Sequence, residues 1–242
     1  MAYTSFVFNA QIATNQEGIR QSEVFEDVLN AGFDAIEVRR EYFLDVKKEL
    51  ADILKKSQEV PLTLYYSAPV GIFVNGQINP ELTEIIEEAN YLGAKHLKLV
   101  VGDFENYRGD LQQDLAPILE KAGALAINVE NDWSELNGGI RNNLLFVKAA
   151  KENNVPIGFV FDTGNFAVIG VNVDTAIELL APFTRYVHIK GIKYENGSAN
   201  VSKLDETDQD WRLFLDKLPK DVPLGLEFPC SFDEIARQLT LV

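Results

Sequence analysis

Eight short apolar runs alternate with amphipathic segments along the whole sequence, and this alternation restricts the fold more than any other feature. The runs are YTSFVFNA, FDAIEVR, PLTLYYSA, HLKLVVG, ALAINVE, PIGFVFD, RYVHIKG and PLGLEFP. The segments between them have helical periodicity, and several end in Gly or Asn, as helix C-termini often do. Strand followed by helix, repeated over 242 residues, predicts a single (β/α)8 TIM barrel, an α/β fold of about 250 residues.

The pattern continues without a linker, which predicts one domain over residues 1–242. A doubly wound open sheet is the alternative. That fold would require a Gly-rich phosphate loop after its first strand, and the stretch FVFNAQIATNQEG has no such motif. The sequence therefore indicates neither a dinucleotide site nor an ATP site.

Charge and composition exclude several classes of partner. A net charge of −15 argues against nucleic acid, because binding to phosphates depends on Lys and Arg. The first residues lack the features of a signal peptide, and no stretch has the roughly 20 apolar residues that cross a bilayer. The single cysteine, Cys230, fits a reducing compartment. We therefore expect a cytoplasmic protein with no membrane partner.

Inward-facing polar residues recur in the last four predicted strands. Side chains on each barrel strand alternate between the interior and the surrounding helices, and chemistry collects at the C-terminal ends of the strands. In strands five to eight the apolar residues occupy every second position, which should face the surrounding helices. The residues at the positions between them should therefore face the interior of the barrel. Each strand then presents one ligand-type side chain near the same end, namely Glu130, Asp162, His188 and Glu227.

These four residues lie about one strand–helix unit apart, so the barrel would bring them to a common height. Three inward carboxylates would repel one another and would each cost several kcal/mol of desolvation. A bound cation removes that cost. Three carboxylates and one imidazole suit one divalent metal ion such as Mn²⁺, Mg²⁺, Co²⁺ or Zn²⁺.

Each member of the set also has a structural explanation. His188 could be a hydrogen-bonded core residue, and Asp162 could cap the helix that follows it. The two glutamates could form buried ion pairs with Lys98 and Lys190. All of these explanations would have to hold together on four adjacent strands, and the metal hypothesis accounts for the four residues at once.

With these residues in view, the chain resembles the xylose isomerase-like, or sugar phosphate isomerase/epimerase, TIM-barrel superfamily. The resemblance spans essentially the whole chain and is carried by GFDAIEVR, INVEN, FVFDTGN, VHIKG and LGLEF. It implies one divalent metal held by Glu130, Asp162, His188 and Glu227. It further implies that Glu130 and Glu227 are the catalytic acid/base pair.

The function implied is that of a divalent-metal-dependent isomerase or epimerase of a small keto-sugar or sugar acid, with proton transfer through a metal-stabilised enediolate. A metal-dependent dehydratase of a keto-sugar, keto-inositol or related hydroxy-ketone is the alternative, followed by a non-catalytic sugar-binding barrel. An apurinic endonuclease branch of the superfamily holds three zinc ions with several histidines, whereas this chain has two histidines. By analogy, a homodimer or homotetramer is expected.

The sequence departs from the epimerases at three positions, which concern the substrate and not the metal. Asn165 stands where they commonly have histidine, Tyr194 where they have arginine, and Gly191 where many members have aspartate. The substrate is therefore less defined than the metal site.

Four residues are predicted to bind the substrate: Glu37, Asn165, Lys190 and Tyr66. Lys190 lies two residues beyond His188, one layer nearer the mouth, where it could meet a carboxylate or phosphate. Trp133, Phe73 and Phe104 are further candidates for the pocket wall, although packing explains each of them better. His96 begins its strand and should lie at the opposite end of the barrel.

Overall fold

The computed structural model describes residues 3–14 and 19–242. Within these residues eight parallel strands close into a barrel, because the eighth strand pairs with the first. In chain order they are β1 Phe6–Asn9, β2 Ala35–Arg39, β3 Thr63–Val74, β4 His96–Gly102, β5 Ala126–Glu130, β6 Gly158–Asp162, β7 Thr184–Ile189 and β8 Leu224–Leu226. Each strand overlaps one of the eight apolar runs, so the predicted (β/α)8 TIM barrel is confirmed.

Helices surround the barrel. They are α1 Gln11–Thr14, α2 Phe25–Asn30, α3 Val46–Glu59, α4 Leu82–Leu92, α5 Leu111–Ala122, α6 Ile140–Glu152, α7 Thr163–Val168, α8 Val173–Leu180, α9 Trp211–Lys217 and α10 Phe232–Leu239. Short 3-10 helices span Gln21–Glu23, Arg40–Tyr42, Phe104–Asn106 and Ala181–Phe183. Across the described residues, every helix is too short or too polar to cross a membrane.

Helix α3 illustrates how the sequence sets these elements. Its first turn is capped by Asp45, whose carboxylate accepts a hydrogen bond from the backbone N–H of Lys48. Leu50 and Ile53 are buried, as is Glu49, whose carboxylate accepts a hydrogen bond from the backbone N–H of Leu44 at 2.7 Å, while lysines such as Lys47 and Lys55 face outward. Amphipathic periodicity therefore places one face of the helix against the sheet.

Two hairpins extend the barrel strands beyond the eightfold pattern. The end of β3 pairs with Gln77–Ile78, and after β7 the chain forms an antiparallel hairpin of Gly191–Glu195 and Ser198–Ser202. Both turns contain an Asn-Gly pair with positive φ at both residues. This is the geometry of a type I′ turn, which suits two-residue hairpin loops.

Apolar side chains form two cores. The larger one fills the space between the strands and the helices, with residues such as Phe8, Ile36 and Phe159 fully buried. The smaller one lies inside the barrel and consists of Val7, Ala35, Tyr65, Val160 and Tyr186; we call it the aromatic floor. Above this floor, at the C-terminal ends of the strands, the interior becomes charged.

Candidate metal centre

The barrel brings together the four residues of the predicted metal set. Glu130 and Asp162 end β5 and β6, and His188 is the fifth residue of β7. Glu227 directly follows β8, and its backbone N–H donates to the carbonyl of Ile189 at 3.1 Å, which keeps it in line with β7. One ligand atom from each of the four residues lies within 4.8 Å of the other three. The convergence predicted from parity is therefore confirmed.

One carboxylate oxygen from each of the other three residues faces Nδ1 of His188. This atom lies 2.8 Å from Oε1 of Glu130, 2.8 Å from Oε2 of Glu227 and 3.8 Å from Oδ2 of Asp162. Two ligands bonded to one divalent ion at about 2.1 Å are themselves roughly 3 Å apart. The spacing therefore matches that of atoms sharing one ion.

Hydrogen bonding gives an independent test of whether a metal fits. The four converging atoms are all buried, and each lacks a well-directed hydrogen bond even though charged groups lie within ion-pair distance. Buried polar atoms usually have a hydrogen-bond partner, so four such atoms facing one point require an explanation. A divalent ion with oxygen and nitrogen ligands would satisfy all four. The cluster can therefore hold a metal ion, whose identity the donor set does not specify.

Cations hold the outer oxygens of the two glutamates. Arg39 Nη1 lies 2.8 Å from Oε1 of Glu227, and Lys98 Nζ lies 3.0 Å from Oε2 of Glu130. Lys98 is also 2.8 Å from Oε1 of Glu37. Each glutamate thus has one oxygen fixed by a cation while its other oxygen faces His188. We call these residues, together with Asp162, His188 and Lys190, the charged layer.

Lys190 differs from these two cations because it contacts converging oxygens. Its ammonium lies 3.0 Å from Oδ2 of Asp162 and 3.6 Å from Oε2 of Glu227, and it donates to Oδ1 of Asn165 at 3.0 Å. The indole N–H of Trp133 also donates to that amide oxygen, and the Trp133 ring lies 5.8 Å from Nζ. The ion pairs that offered a structural explanation for the two glutamates, Lys98 with Glu130 and Lys190 with Glu227, are therefore present. They occur together with the convergence of the four ligand atoms.

Asp162 also caps a helix. Its Oδ1 accepts from the backbone N–H of Asn165 at 2.8 Å at the start of α7, while Oδ2 faces His188. One carboxylate therefore serves both predicted roles, with one oxygen for each.

Neighbouring charges shift the protonation of the cluster. Burial and the Lys98 charge oppose a proton on His188, but Glu37 and Glu130 outweigh them and hold its pKa well above the ordinary value. Burial raises the pKa of Glu37, but Lys98 and His188 lower it to about 2. Burial likewise opposes the ionised form of Glu227, and Lys190 and Lys98 overcome it, so its pKa is well below the usual range. Without a metal, the carboxylates around His188 therefore favour its protonated form.

A pocket of about 300 Å³ opens above the charged layer. This volume is at the low end for small-molecule sites, which run from roughly 300 to 1,000 Å³. Its lining includes Glu130, Glu227, Asn165, Lys190 and Trp133. Two of the predicted substrate-binding residues, Asn165 and Lys190, therefore border the pocket.

The other two predicted substrate-binding residues lie elsewhere. Glu37 faces inward as predicted, but it is fully buried beneath the pocket and accepts a hydrogen bond from Asn9 at 2.8 Å. Tyr66 has the opposite parity and faces the helices, where its hydroxyl donates to Glu88 of α4 at 2.6 Å. The structure does not bring Tyr66 to the mouth of the barrel, because successive residues of a strand point to opposite sides.

Sequence reasoning overlooked Arg39 and undervalued Trp133. Arg39 follows Glu37 at the same inward parity, so the alternation that identified Glu37 also contained the signal for Arg39. Trp133 follows β5 in a loop, where no periodicity applies, and it borders the pocket with 54% of its surface exposed. Phe73 and Phe104 pack on each other with ring centroids 5.0 Å apart, as their packing explanation predicted.

Two glycines make room for the site. A Cβ atom at Gly225 would lie 2.7 Å from Cδ2 of His188, and one at Gly164 would collide with the side-chain stem of Lys190. Contacts this close do not occur between real side chains. Gly225, in the middle of β8, and Gly164, at the start of α7, are therefore needed for His188 and Lys190 to occupy their positions.

The hairpin after β7 accounts for two of the sequence departures. A Cβ at Gly191 would collide with the carbonyl of Lys203, so the aspartate of the family pattern has no room here. Tyr194 lies in the hairpin, half exposed, and its hydroxyl accepts from Gln209 at 3.0 Å. The hairpin instead contributes Val201 to a smaller cavity beside the mouth.

The sequence matches no protein-family model and no curated protein at a significant level. Solved structures do match over nearly the full chain. The IolI protein with a bound zinc atom is 15% identical, with 98% of this chain and 96% of that chain covered and a TM-score of 0.70. D-allulose 3-epimerase from Methylomonas sp. is 16% identical, with 99% and 92% covered and a TM-score of 0.65. The probable 3-DHS dehydratase AsbF from Bacillus anthracis is 11% identical, with 100% and 98% covered and a TM-score of 0.71. The likeness concerns the fold: this chain is a TIM barrel with an architecture similar to that of these three proteins.

Proposed function

We propose that this protein is a divalent-metal-dependent isomerase or epimerase of a small keto-sugar or sugar acid. The observation that carries the proposal is the convergence of four buried ligand atoms directly beneath a small pocket. Glu130, Asp162, His188 and Glu227 would hold the ion. A divalent ion there supplies Lewis-acid polarisation of a substrate carbonyl, which acidifies the neighbouring C–H bond.

Within the cluster, Glu130 and Glu227 are the groups suited to move that proton. They keep 10% and 8% of their side chains exposed, whereas His188 and Asp162 are fully buried. Surrounding cations lower the pKa of both glutamates against the effect of burial, so both are ionised and can accept a proton. A carboxylate that takes a proton from one carbon can return it to the same carbon or its neighbour.

The remaining pocket residues would orient the substrate. Asn165 is held by its side-chain N–H bond to the carbonyl of Asn131 at 2.8 Å, so its amide oxygen has a fixed direction. Lys190 supplies a positive charge next to it, and the exposed ring of Trp133 offers an apolar wall of the kind that packs against sugar carbons. These groups fit a small substrate that carries hydroxyls and one electron-rich or anionic oxygen.

A dehydratase is the second candidate, and the Lys190 ammonium favours it. Expulsion of a hydroxyl group from the carbon next to the enolised position requires a proton donor. Burial opposes the charge of Lys190, but Asp162 and Glu227 outweigh it and raise its pKa, so the ammonium stays protonated and can donate a hydrogen bond to a departing hydroxyl group. The probable dehydratase AsbF has the same fold. Both reactions begin with the same proton removal by a glutamate.

Proton exchange would test the proposal. The metal-loaded protein is incubated in deuterated water with a panel of ketoses and keto-acids, and label at the α-carbon is followed by NMR. We expect exchange in the wild type and a loss of about 10²- to 10⁴-fold in Glu130→Gln and Glu227→Gln. The exposed α5 variant Glu120→Gln is the matched control and should retain full exchange.

The outcomes separate the candidate functions. Absence of exchange across the panel, with metal bound, would reject the isomerase and epimerase and leave a sugar-binding barrel. Exchange accompanied by an enone chromophore would identify the dehydratase. Elemental analysis of wild type, His188→Ala and Glu227→Gln tests the ligand set itself, and unchanged metal content in both variants would refute it.

A further inference from the structure

Lys190 lies where a metal ion would have to compete with it. Its ammonium is 3.0 Å from Oδ2 of Asp162 and 3.6 Å from Oε2 of Glu227, and the residue is only 3% exposed. These are the two oxygens that face Nδ1 of His188. The ammonium therefore sits against two of the four atoms that would bind the ion.

Arg39, which is partly exposed, and Lys98, which is buried, are also cations next to the ligands, but they leave the converging atoms accessible to a metal. Arg39 contacts Oε1 of Glu227, and Lys98 contacts Oε2 of Glu130, which are the outer oxygens of those carboxylates. Among the ion pairs of the described residues, Lys190 is the lysine or arginine that contacts the inner oxygens. Its effect on metal binding should therefore differ from theirs.

A second set of partners is available to Lys190 on the pocket side. Its ammonium already lies 3.0 Å from Oδ1 of Asn165, and the face of Trp133 is 5.8 Å away. The stem of Lys190 packs against Gly164, and Lys190 borders the pocket. A small movement of the ammonium would exchange the carboxylates for these groups.

We infer that Lys190 is an internal counter-cation that a divalent metal displaces from Asp162 and Glu227 toward Asn165 and Trp133. An ammonium and a divalent ion a few Å apart repel one another, so both cannot occupy the inner oxygens fully. Metal binding then makes the ammonium available to a carboxylate or other anionic group of the substrate. This inference rests on the proposed metal site and adds a coupling between metal and substrate anion.

The test is an affinity measurement at one pH and ionic strength. The dissociation constant for Zn²⁺ is determined by competition with a chromophoric chelator for the wild type, Lys190→Met and Lys190→Arg. Lys190→Met keeps the length of the stem and removes the competing charge, so it should bind Zn²⁺ at least about tenfold more tightly than wild type. Lys190→Arg retains the charge and should show no tightening.

Lys217→Met provides the matched control. Lys217 is an exposed lysine paired with Asp174 at 2.6 Å, so its loss changes the net charge equally, far from the cluster. Its Zn²⁺ affinity should stay within about twofold of wild type. Should Lys190→Met fail to fold, as judged by its thermal unfolding, Lys190→Gln is measured in its place with the same expectation.

Tryptophan fluorescence provides a readout of the movement. The chain has two tryptophans, and Trp211 is buried with its indole N–H bonded to the carbonyl of Leu204. Zn²⁺ should therefore change the emission of Trp133 in the wild type, and the change should disappear in Lys190→Met and in Trp133→Phe. Zn²⁺ that binds the wild type but binds Lys190→Met no more tightly overturns the displacement alone. A wild type that binds no Zn²⁺ overturns the metal site and the displacement together.

Discussion

The interior of the barrel contains two regions that the same strands build at opposite ends. The aromatic floor lies toward the N-terminal ends, where Tyr65 meets Tyr186 with ring centroids 5.4 Å apart and stacks on His96 at 4.4 Å. The charged layer begins two residues further along the strands, where His188 and Glu37 follow Tyr186 and Ala35. In TIM barrels the N-terminal face serves stability and the C-terminal face serves chemistry.

The two regions differ in what they contribute to folding. Burial of the floor removes apolar surface from water, which stabilises the fold by about 25 cal/mol per Å². Burial of the charged layer removes carboxylates from water and costs free energy that ion pairs only partly offset. Asp162 shows this cost: burial raises its pKa, Lys190 opposes the rise, and Glu227 and Glu130 add to it. The free energy gained by burying the floor therefore offsets part of the cost of burying the charged layer.

Removing a floor side chain should destabilise the protein without altering the metal site. Tyr65→Ala leaves a cavity beneath the charged layer, and truncation of a buried aromatic ring typically costs about 3 kcal/mol or more. Denaturant unfolding of the metal-free protein measures this loss. The exposed α4 variant Tyr91→Ala is the control and should change little. A Zn²⁺ affinity reduced as strongly as the stability would show that the two regions are not separable.

Neutralising a carboxylate of the charged layer should weaken metal binding without destabilising the metal-free protein. Asp162→Asn retains the helix-capping oxygen but should weaken metal binding at least tenfold, about 1.4 kcal/mol. Because the folded-state pKa of Asp162 is raised, the ionised carboxylate destabilises the fold as pH rises through that range, and Asn lacks this penalty. Unfolding with a chelator present should therefore show equal or greater stability than wild type. Asp174→Asn, on the surface of α8, is the control, and a large loss of stability in Asp162→Asn alone would contradict the comparison.

Metal binding should release about one proton near neutral pH. The raised pKa of His188 keeps it protonated in the metal-free protein, and a ligand nitrogen must lose that proton. Affinity should therefore increase about tenfold per pH unit up to the folded-state pKa of His188, and level off above it. Calorimetry in buffers of different ionisation enthalpy counts the proton. His96→Asn is the control, since burial lowers the pKa of His96; binding without proton release would contradict the expectation.

The smallest expected effect concerns Tyr66, which lies outside both interior regions. Tyr66→Phe removes the hydrogen bond to Glu88, while Arg40 still holds that carboxylate at 2.7 Å. We expect a stability loss of about 1 kcal/mol and no change in kcat/KM. Tyr91→Phe, which is exposed, serves as the control for loss of a hydroxyl group. A tenfold increase in KM for Tyr66→Phe would restore the substrate-binding role predicted from the sequence.

Parity explains why so much of the candidate site was predictable. A strand has a side-chain period of two, so the apolar neighbours of Glu130, Asp162 and His188 fixed their inward direction. The same rule also predicts that Arg39, two residues beyond Glu37, faces inward, although this residue was overlooked. Trp133 and Asn131 follow β5 in a loop without periodicity, so their contacts with Asn165 could not be deduced. The Asn-Gly pairs at 75–76 and 196–197 were unused signals for the two hairpins.

The sequence by itself determined the barrel, the inward set of ligand-type residues and the end at which they lie, since each depends on local periodicity and chain order. Tertiary structure alone decided which oxygen of each carboxylate faces His188 and which is held by a cation. Those choices depend on distances between residues on different strands, such as Arg39 to Glu227 and Lys190 to Asp162. Electrostatic energy varies with such distances over a few Å, and the order of residues along one strand does not specify them.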